Sequence, residues 1–273
     1  LDYNFGELMD QYRKWYRLGF ENHLFEGEFF EQIIKTVYGS LLRAGDVVID
    51  GGCHGGYHTV PMCEILSERG LVIGFDAIPG LVRYLREKLE SLGIGNALII
   101  NKAIGREVGV TEFTWVRDAE AYSGIREREM SEEARASISK IRVALTTLDA
   151  EIGSLGLIEK IRFVKLDLEG GEYDTLLGAQ QLMRTSSPLI VFENGRQRSA
   201  DIYGYDMNDW FSLFERAGYS VYDLFGREFV RDCWKTHDMP WYMFAAKRGE
   251  DIAFIETNLG VLISTLAEAY SNQ

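Results

Sequence analysis

Residues 47–57 read Val-Val-Ile-Asp-Gly-Gly-Cys-His-Gly-Gly-Tyr. The opening apolar run has no alternation and is rich in β-branched residues, which suits a strand covered on both faces. Asp50 ends it, a glycine-rich bend follows, and residues 57–69 have helical character. The same unit recurs along the chain. Residues 71–75 end at Asp76, 97–100 at Asn101, 161–166 at Asp167, and 189–192 at Glu193. Helical stretches at about 79–92 and 172–185 lie between them. Buried strands alternating with helices predict an α/β sheet of parallel order.

Outward from this centre the pattern changes. Residues 1–44 read as helical, with Leu8, Tyr12, Trp15 and Tyr16 at helix spacing, and again Phe29, Ile33, Ile34, Val37, Leu41 and Leu42. After a helix at about 207–217, residues 219–225 and 241–246 form two strands joined by a loop, so that pair is expected to be partly antiparallel. An amphipathic helix at about 250–270 closes the chain. Its apolar face, like the N-terminal aromatics, is expected to pack as core or as a homo-oligomer contact. Residues 110–116 look like an additional strand, 117–140 are charged, and 143–145 resume strand character. The expected division is therefore a helical cap (1–44), a main domain (45–249) with a lid-like insertion at about 109–145, and a C-terminal helix (250–273).

Composition narrows the function. Lys and Arg number 29 and Asp and Glu 42, a net charge of −13. Nucleic-acid binding through phosphates needs a basic face, so no nucleic-acid partner is expected. No apolar run approaches the roughly 18 residues of a membrane span. The first residues are acidic and aromatic, unlike a signal peptide. Cys53, Cys63 and Cys233 show neither zinc spacing nor a disulfide framework, which suits reduced thiols and a cytoplasmic protein. The chain starts at Leu1, and it reads as a trimmed piece of something longer.

Four of the five strands end in a carboxylate. Ligands of open parallel sheets bind at the carboxyl ends of the strands, so Asp50, Asp76, Asp167 and Glu193 are expected to face one crevice. Four acids there repel unless a cation, a metal or strong hydrogen bonds offset them. The bend at 51–56 does not follow the G-x-G-x-x-G spacing of dinucleotide sites, because the third position is Cys53 or His54. An acid just before the bend is also a poor neighbour for a pyrophosphate. It suits a ligand carrying an ammonium and a sulfonium. Asp76, at the end of the second strand, is placed to accept both hydroxyls of a ribose. These features favour S-adenosylmethionine over NAD.

At this point the sequence resembles a known family, the FkbM family of S-adenosylmethionine-dependent methyltransferases. The resemblance runs from about Gly45 to Gly195. It rests on GDVVIDGGCHGGYHT, on FDAIPG, and on VALTTLDAEI followed by IRFVKLDLEGGEYDTLLGA. His54 stands where the family usually has Asn, and Asp76 where Glu is commoner. The resemblance implies a Rossmann-like, doubly wound, mostly parallel seven-stranded sheet with an antiparallel C-terminal strand and a helical N-terminal extension. It also implies roles. Asp50, Gly52 and Gly56, with His54 and Thr59, shape the methionine end of the cofactor site. Asp76 holds the ribose, and Asn101 and Ala103 border the adenine. Ser123 lies near the mouth, and Asp167, Glu169 and Glu172 form an acidic junction under the acceptor.

Methyl transfer to a hydroxyl also needs a route for the proton. Asp167, Glu193 and Asn194 at neighbouring strand ends would make a hard oxygen site for a divalent metal such as magnesium. Alternatively Glu169, or His237 in the loop beside Trp234 and Trp241, serves as base. The expected function is O-methylation of a small metabolite, a sugar or glycan end, or a polyketide-type product. The alternatives are an NAD-dependent oxidoreductase and a non-catalytic Rossmann-like assembly module.

Overall fold

Five apolar runs form the parallel core of the sheet: β1 (Val47–Gly51), β2 (Leu71–Asp76), β3 (Ala97–Asn101), β7 (Ile161–Leu166) and β8 (Leu189–Glu193). The structure is a computed structural model and describes residues 26–119, 122–236 and 239–271. Two further strands, β9 (Ser220–Asp223) and β10 (Tyr242–Ala246), complete a seven-stranded sheet in the order β3-β2-β1-β7-β8-β10-β9. Only β10 runs against the others, pairing antiparallel with both β8 and β9. The strand order reverses between β1 and β7, which is where ligands of such sheets sit.

Adjacent residues on each strand feed opposite cores. Ile49, Ile73, Val164 and Ile190 pack on one face, with the helix Met207–Ala217 and the helical pair Glu172–Leu177 and Gln180–Thr185. Val48, Val72, Phe163 and Val191 pack on the other. There they meet the helix Glu26–Leu41 through Phe29, Ile33 and Val37, and the final helix Leu259–Ser271 through Leu259 and Ile263. This two-sided burial is why the strands read as continuous apolar runs. The N-terminal helix expected from Phe29 to Leu42 is therefore present. Leu8, Tyr12, Trp15 and Tyr16 lie outside the described residues.

Two expected helices are each broken in two. The 172–185 stretch breaks at Gly178, where a Cβ would come within 2.2 Å of the Gly105 carbonyl oxygen, so only glycine fits. The 250–270 stretch breaks at Asn258, between Gly249–Thr257 and Leu259–Ser271.

The insertion is more ordered than its charge suggests. β5 (Gly109–Val116) and β6 (Ile138–Thr146) pair antiparallel from Gly109↔Leu145 to Val116↔Ile138. β4 (Ala103–Ile104) joins β6 in parallel, giving a three-stranded sheet. The short helix Glu132–Ala136 caps the ribbon, its Ser131 Oγ accepting the Ala134 N–H at 3.2 Å. Most of the charged positions lie in the connection and the short helix between the strands, while Glu112, Lys140 and Arg142 are the exposed charges of the ribbon itself. Its inner face, with Val143 and Leu145, packs on Ala77 and Ala103.

Candidate active site

The bend after β1 is held by its own backbone. Gly52 and Cys53 N–H groups both donate to the Phe75 carbonyl, at 2.9 and 3.0 Å. Gly52 has φ +79°, and a Cβ there would lie 2.0 Å from the Asp167 carbonyl oxygen. Gly56 has φ +80° and abuts Leu85. Both glycines are therefore steric necessities of the turn. His54 takes φ +43° without being glycine, and its backbone N–H donates to Asp76 Oδ2 at 3.0 Å. Asp76 Oδ1 accepts the Ile78 N–H at 2.8 Å. The carboxylate is thus fixed in place at the edge of the bend.

Two cavities meet across this bend. The first, about 330 Å³, is lined by Asp76, by the apolar walls of Phe75, Ile78, Leu81, Ile104, Phe113 and Ile125, and by Lys102, Ala103, Ser123, Leu168, Glu169 and Gly171. The second, about 370 Å³, is lined by Glu28, Glu31, Asp50, Cys53, Tyr57, His58 and Lys165. Gly52, His54 and Asp167 line both. An apolar chamber with a carboxylate at its edge thus opens, past a glycine turn, into a polar one.

The polar chamber holds a surplus of acid. Asp50 is 1% exposed. Its Oδ2 accepts the Thr59 hydroxyl at 2.6 Å, while its Oδ1 is buried with no partner. Lys165, opposite Asp50 in the β1–β7 register and itself buried, donates to Asp167 Oδ2 at 3.1 Å. Burial would lower the Lys165 ammonium, but Asp167, Asp50 and Glu31 around it hold it above its ordinary value. Burial likewise would raise Asp167. Lys165 and the Tyr242 hydroxyl outweigh that and keep its carboxyl below the usual range.

On the cavity side, Asp167, Glu169 and Glu193 place carboxylate oxygens within 4.8 Å of one another. Burial and the neighbouring carboxylates push Glu169 up to about 9 and Glu193 up to about 7. Arg128, from the insertion, pairs with Glu169.

The other expected site residues make the following contacts. Asn101 does not line the cavity. Its amide donates to the carbonyls of Asp76 and Ala77, at 3.0 and 3.1 Å, and braces the end of β2. Thr59 acts through Asp50. Glu172, 3% exposed, accepts the Leu168 N–H at 2.6 Å, secures the 168–171 loop and lines neither cavity. Ser123 Oγ accepts the Val116 N–H at 3.0 Å and lines the first cavity. His237 lies outside the described residues.

Of the expected metal ligands, Asp167 and Glu193 come together, with Glu169 as a third carboxylate. Asn194 faces the turn that follows, its Oδ1 accepting the Arg196 N–H at 3.0 Å. Lys165 and Arg128 lie against Asp167 and Glu169.

Sequence reasoning missed Glu31, Tyr242 and Arg128. Glu31 and Tyr242 carry no local signal, because only the fold brings them together.

A mostly parallel seven-stranded sheet with one reversed strand, a glycine turn after β1 and an acid at the end of β2 define the Rossmann-like class of S-adenosylmethionine-dependent methyltransferases. Within that class the family profile of the Methyltransferase FkbM domain matches residues 50–221, and the chain belongs to that family. Among curated proteins, the Protein-L-isoaspartate O-methyltransferase of Ignicoccus hospitalis is 37% identical over 68 residues, 25% of this chain and 32% of that protein. Protein-L-isoaspartate O-methyltransferase 1 of Archaeoglobus fulgidus is 37% identical over 59 residues, 22% and 27% of the respective chains. The chain thus spans about a third of these curated relatives or less. Among solved structures, Methyltransferase FkbM from Methylobacillus flagellatus aligns with TM-score 0.46 at 14% identity, over 76% of this chain and 45% of that one. Aeropyrum pernix fibrillarin, solved with natively bound S-adenosyl-L-methionine, aligns with TM-score 0.41 at 12% identity, over 79% and 86%. No helix among the described residues is long and apolar enough to cross a membrane.

Proposed function

We propose that this chain transfers a methyl group from S-adenosylmethionine to a hydroxyl of a small metabolite, a sugar or glycan end, or a polyketide-type product. The observation that carries the reading is the pair of cavities joined at Gly52, with Asp76 fixed in one and the unpartnered Asp50 Oδ1 in the other. An unpaired buried carboxylate oxygen is costly, and a cationic ligand offsets that cost. A pyrophosphate beside Asp50, Asp167 and Glu31 would be repelled. This opposes the NAD alternative.

The residues divide the work. Asp76 accepts the ribose hydroxyls, while Phe113, Ile78 and Ala103 border the adenine. Asp50 and the backbone near Gly52 and His54 face the amino-acid end. When bound, S-adenosylmethionine supplies a methyl group on a positively charged sulfur, and the electron pair of the broken carbon–sulfur bond stays with that sulfur. Asp167, ionised and shared by both cavities, receives the acceptor's proton. Glu169, held up to about 9, is protonated at neutral pH and donates a hydrogen bond to the acceptor instead. The apolar ribbon wall excludes water, and alignment supplies much of the acceleration.

Titration calorimetry with S-adenosylmethionine and with NAD tests this directly. The expected result is saturable heat for the first and none for the second. Heat for NAD alone makes the chain an oxidoreductase, and heat for neither supports the assembly module.

A further inference from the structure

The helix Glu26–Leu41 lies outside the family-matched stretch, yet it walls the polar chamber. Glu31, Gln32 and Lys35 follow Glu28 by three, four and seven residues, so the four share one face of that helix. This face is docked on the residue that follows the glycine bend. Gln32 Nε2 donates to the Tyr57 hydroxyl at 3.1 Å, and the Lys35 ammonium lies 3.4 Å from the Tyr57 ring centroid. Phe29 and Phe30, next along the chain from Glu28, are buried against the sheet. The backbone is thus held on both sides, and it sets Glu28, an exposed residue, at the mouth of the chamber.

Among the described residues, four carboxylates line this chamber: Glu28, Glu31, Asp50 and Asp167. Two are tied to neighbours. Asp167 meets Lys165 and the Tyr242 hydroxyl, and Glu31 meets His58 and the same hydroxyl. Two keep accepting capacity. Asp50 Oδ1 is buried with no partner, and Glu28 makes no hydrogen bond or ion pair with the described residues. The buried cation of the chamber, Lys165, is already committed to Asp167. An ammonium brings a full positive charge and three N–H donors, which suits two carboxylates that no protein cation serves.

We propose that Glu28 binds the α-ammonium of the cofactor's amino-acid end, closing from the mouth of the chamber a site that Asp50 opens at its floor. The assignment rests on the methyl-transfer reading and extends it to a residue ahead of the family-matched stretch. It gives the N-terminal helix a part in choosing the ligand: a nucleoside without an amino group at the far end of its tail gains nothing from Glu28.

The test is a two-by-two calorimetric cycle on the whole chain. The proteins are wild type and Glu28→Gln, which keeps the shape of an exposed side chain and removes its charge. The ligands are S-adenosylhomocysteine and its analogue with hydrogen in place of the α-amino group, the analogue read by displacement of bound S-adenosylhomocysteine. Glu28→Gln should weaken S-adenosylhomocysteine about fivefold, the upper end for a charge pair open to solvent. The analogue should bind the variant as well as it binds wild type, or better, since Glu28 only repels its remaining carboxylate. S-adenosylmethionine carries the same ammonium and should lose the same factor as S-adenosylhomocysteine. Equal weakening of the analogue, no weakening of S-adenosylhomocysteine, or a loss confined to the sulfonium ligand would overturn the assignment. In each of those cases wild-type binding stands, and with it the methyl-transfer reading. A wild-type chain that binds neither S-adenosyl ligand overturns both.

Discussion

In the proposed reading, Asp76 is the residue on which cofactor binding turns. Its two oxygens are oriented by the His54 and Ile78 N–H groups, and the proposal gives it the two ribose hydroxyls. Asp76→Ala should weaken S-adenosylmethionine binding by about 1–3 kcal/mol, the range for a hydrogen bond to a charged group. An unchanged calorimetric dissociation constant would remove Asp76 from the ribose. Gly52→Ala is predicted to be worse. It places a Cβ 2.0 Å from a backbone oxygen at φ +79°, and neither β1 nor the start of the 168–171 loop has slack to yield. The expected cost exceeds about 1 kcal/mol, visible as a lower melting temperature. At this scale the sequence was readable where a residue's position follows from its strand. Asp50, Asp76, Asp167 and Glu193 do gather at one edge. Strand position does not say which way a side chain turns afterwards. Glu172 and Asn194 therefore proved to satisfy backbone N–H groups, as Asn101 proved to brace carbonyls. Glu31 and Tyr242, 211 residues apart, were beyond any local pattern.

The elements were legible in proportion to their burial. β1, β2, β7 and β8 announced themselves because both faces are covered, leaving apolar runs with no competing pattern. The β5–β6 ribbon was half legible: its strands showed at 110–116 and 143–145, while the charged first residues of β6 read as part of the connection. The helix Glu26–Leu41 is the element that ties the flank to the site. Its apolar face packs on the sheet, and its Glu31 reaches Tyr242. Ile33 is 0% exposed in that interface. Ile33→Ala should cost about 2–4 kcal/mol, measured by denaturant unfolding. A change near zero would mean that the helix contributes little to the fold.

Across the whole molecule the cost of gathering acids is paid in pH dependence. Glu169 and Glu193 have an ordinary value of 4.5 and are raised to about 9 and about 7 in the folded chain. Between about pH 4.5 and 9 the native state therefore binds more protons than the unfolded one, and stability falls as pH rises through that window. Glu193→Gln removes one of these sites. It should raise stability at about pH 8 by on the order of 1–3 kcal/mol and leave it nearly unchanged at about pH 5. Parallel melting curves at the two pH values check this, and equal shifts at both would refute it. A cationic ligand relieves the same repulsion, so S-adenosylmethionine should raise the melting temperature more at the higher pH.

The central claim is that the turn at Gly52 joins a nucleoside chamber to an acidic one built for a positively charged methyl donor. A crystal structure grown with S-adenosylhomocysteine addresses it most directly. The account predicts ribose hydroxyls on Asp76, the ring against Phe113, and the amino-acid end carried past Gly52 toward Asp50. Ligand density elsewhere, or a first chamber closed by its own side chains, would contradict it.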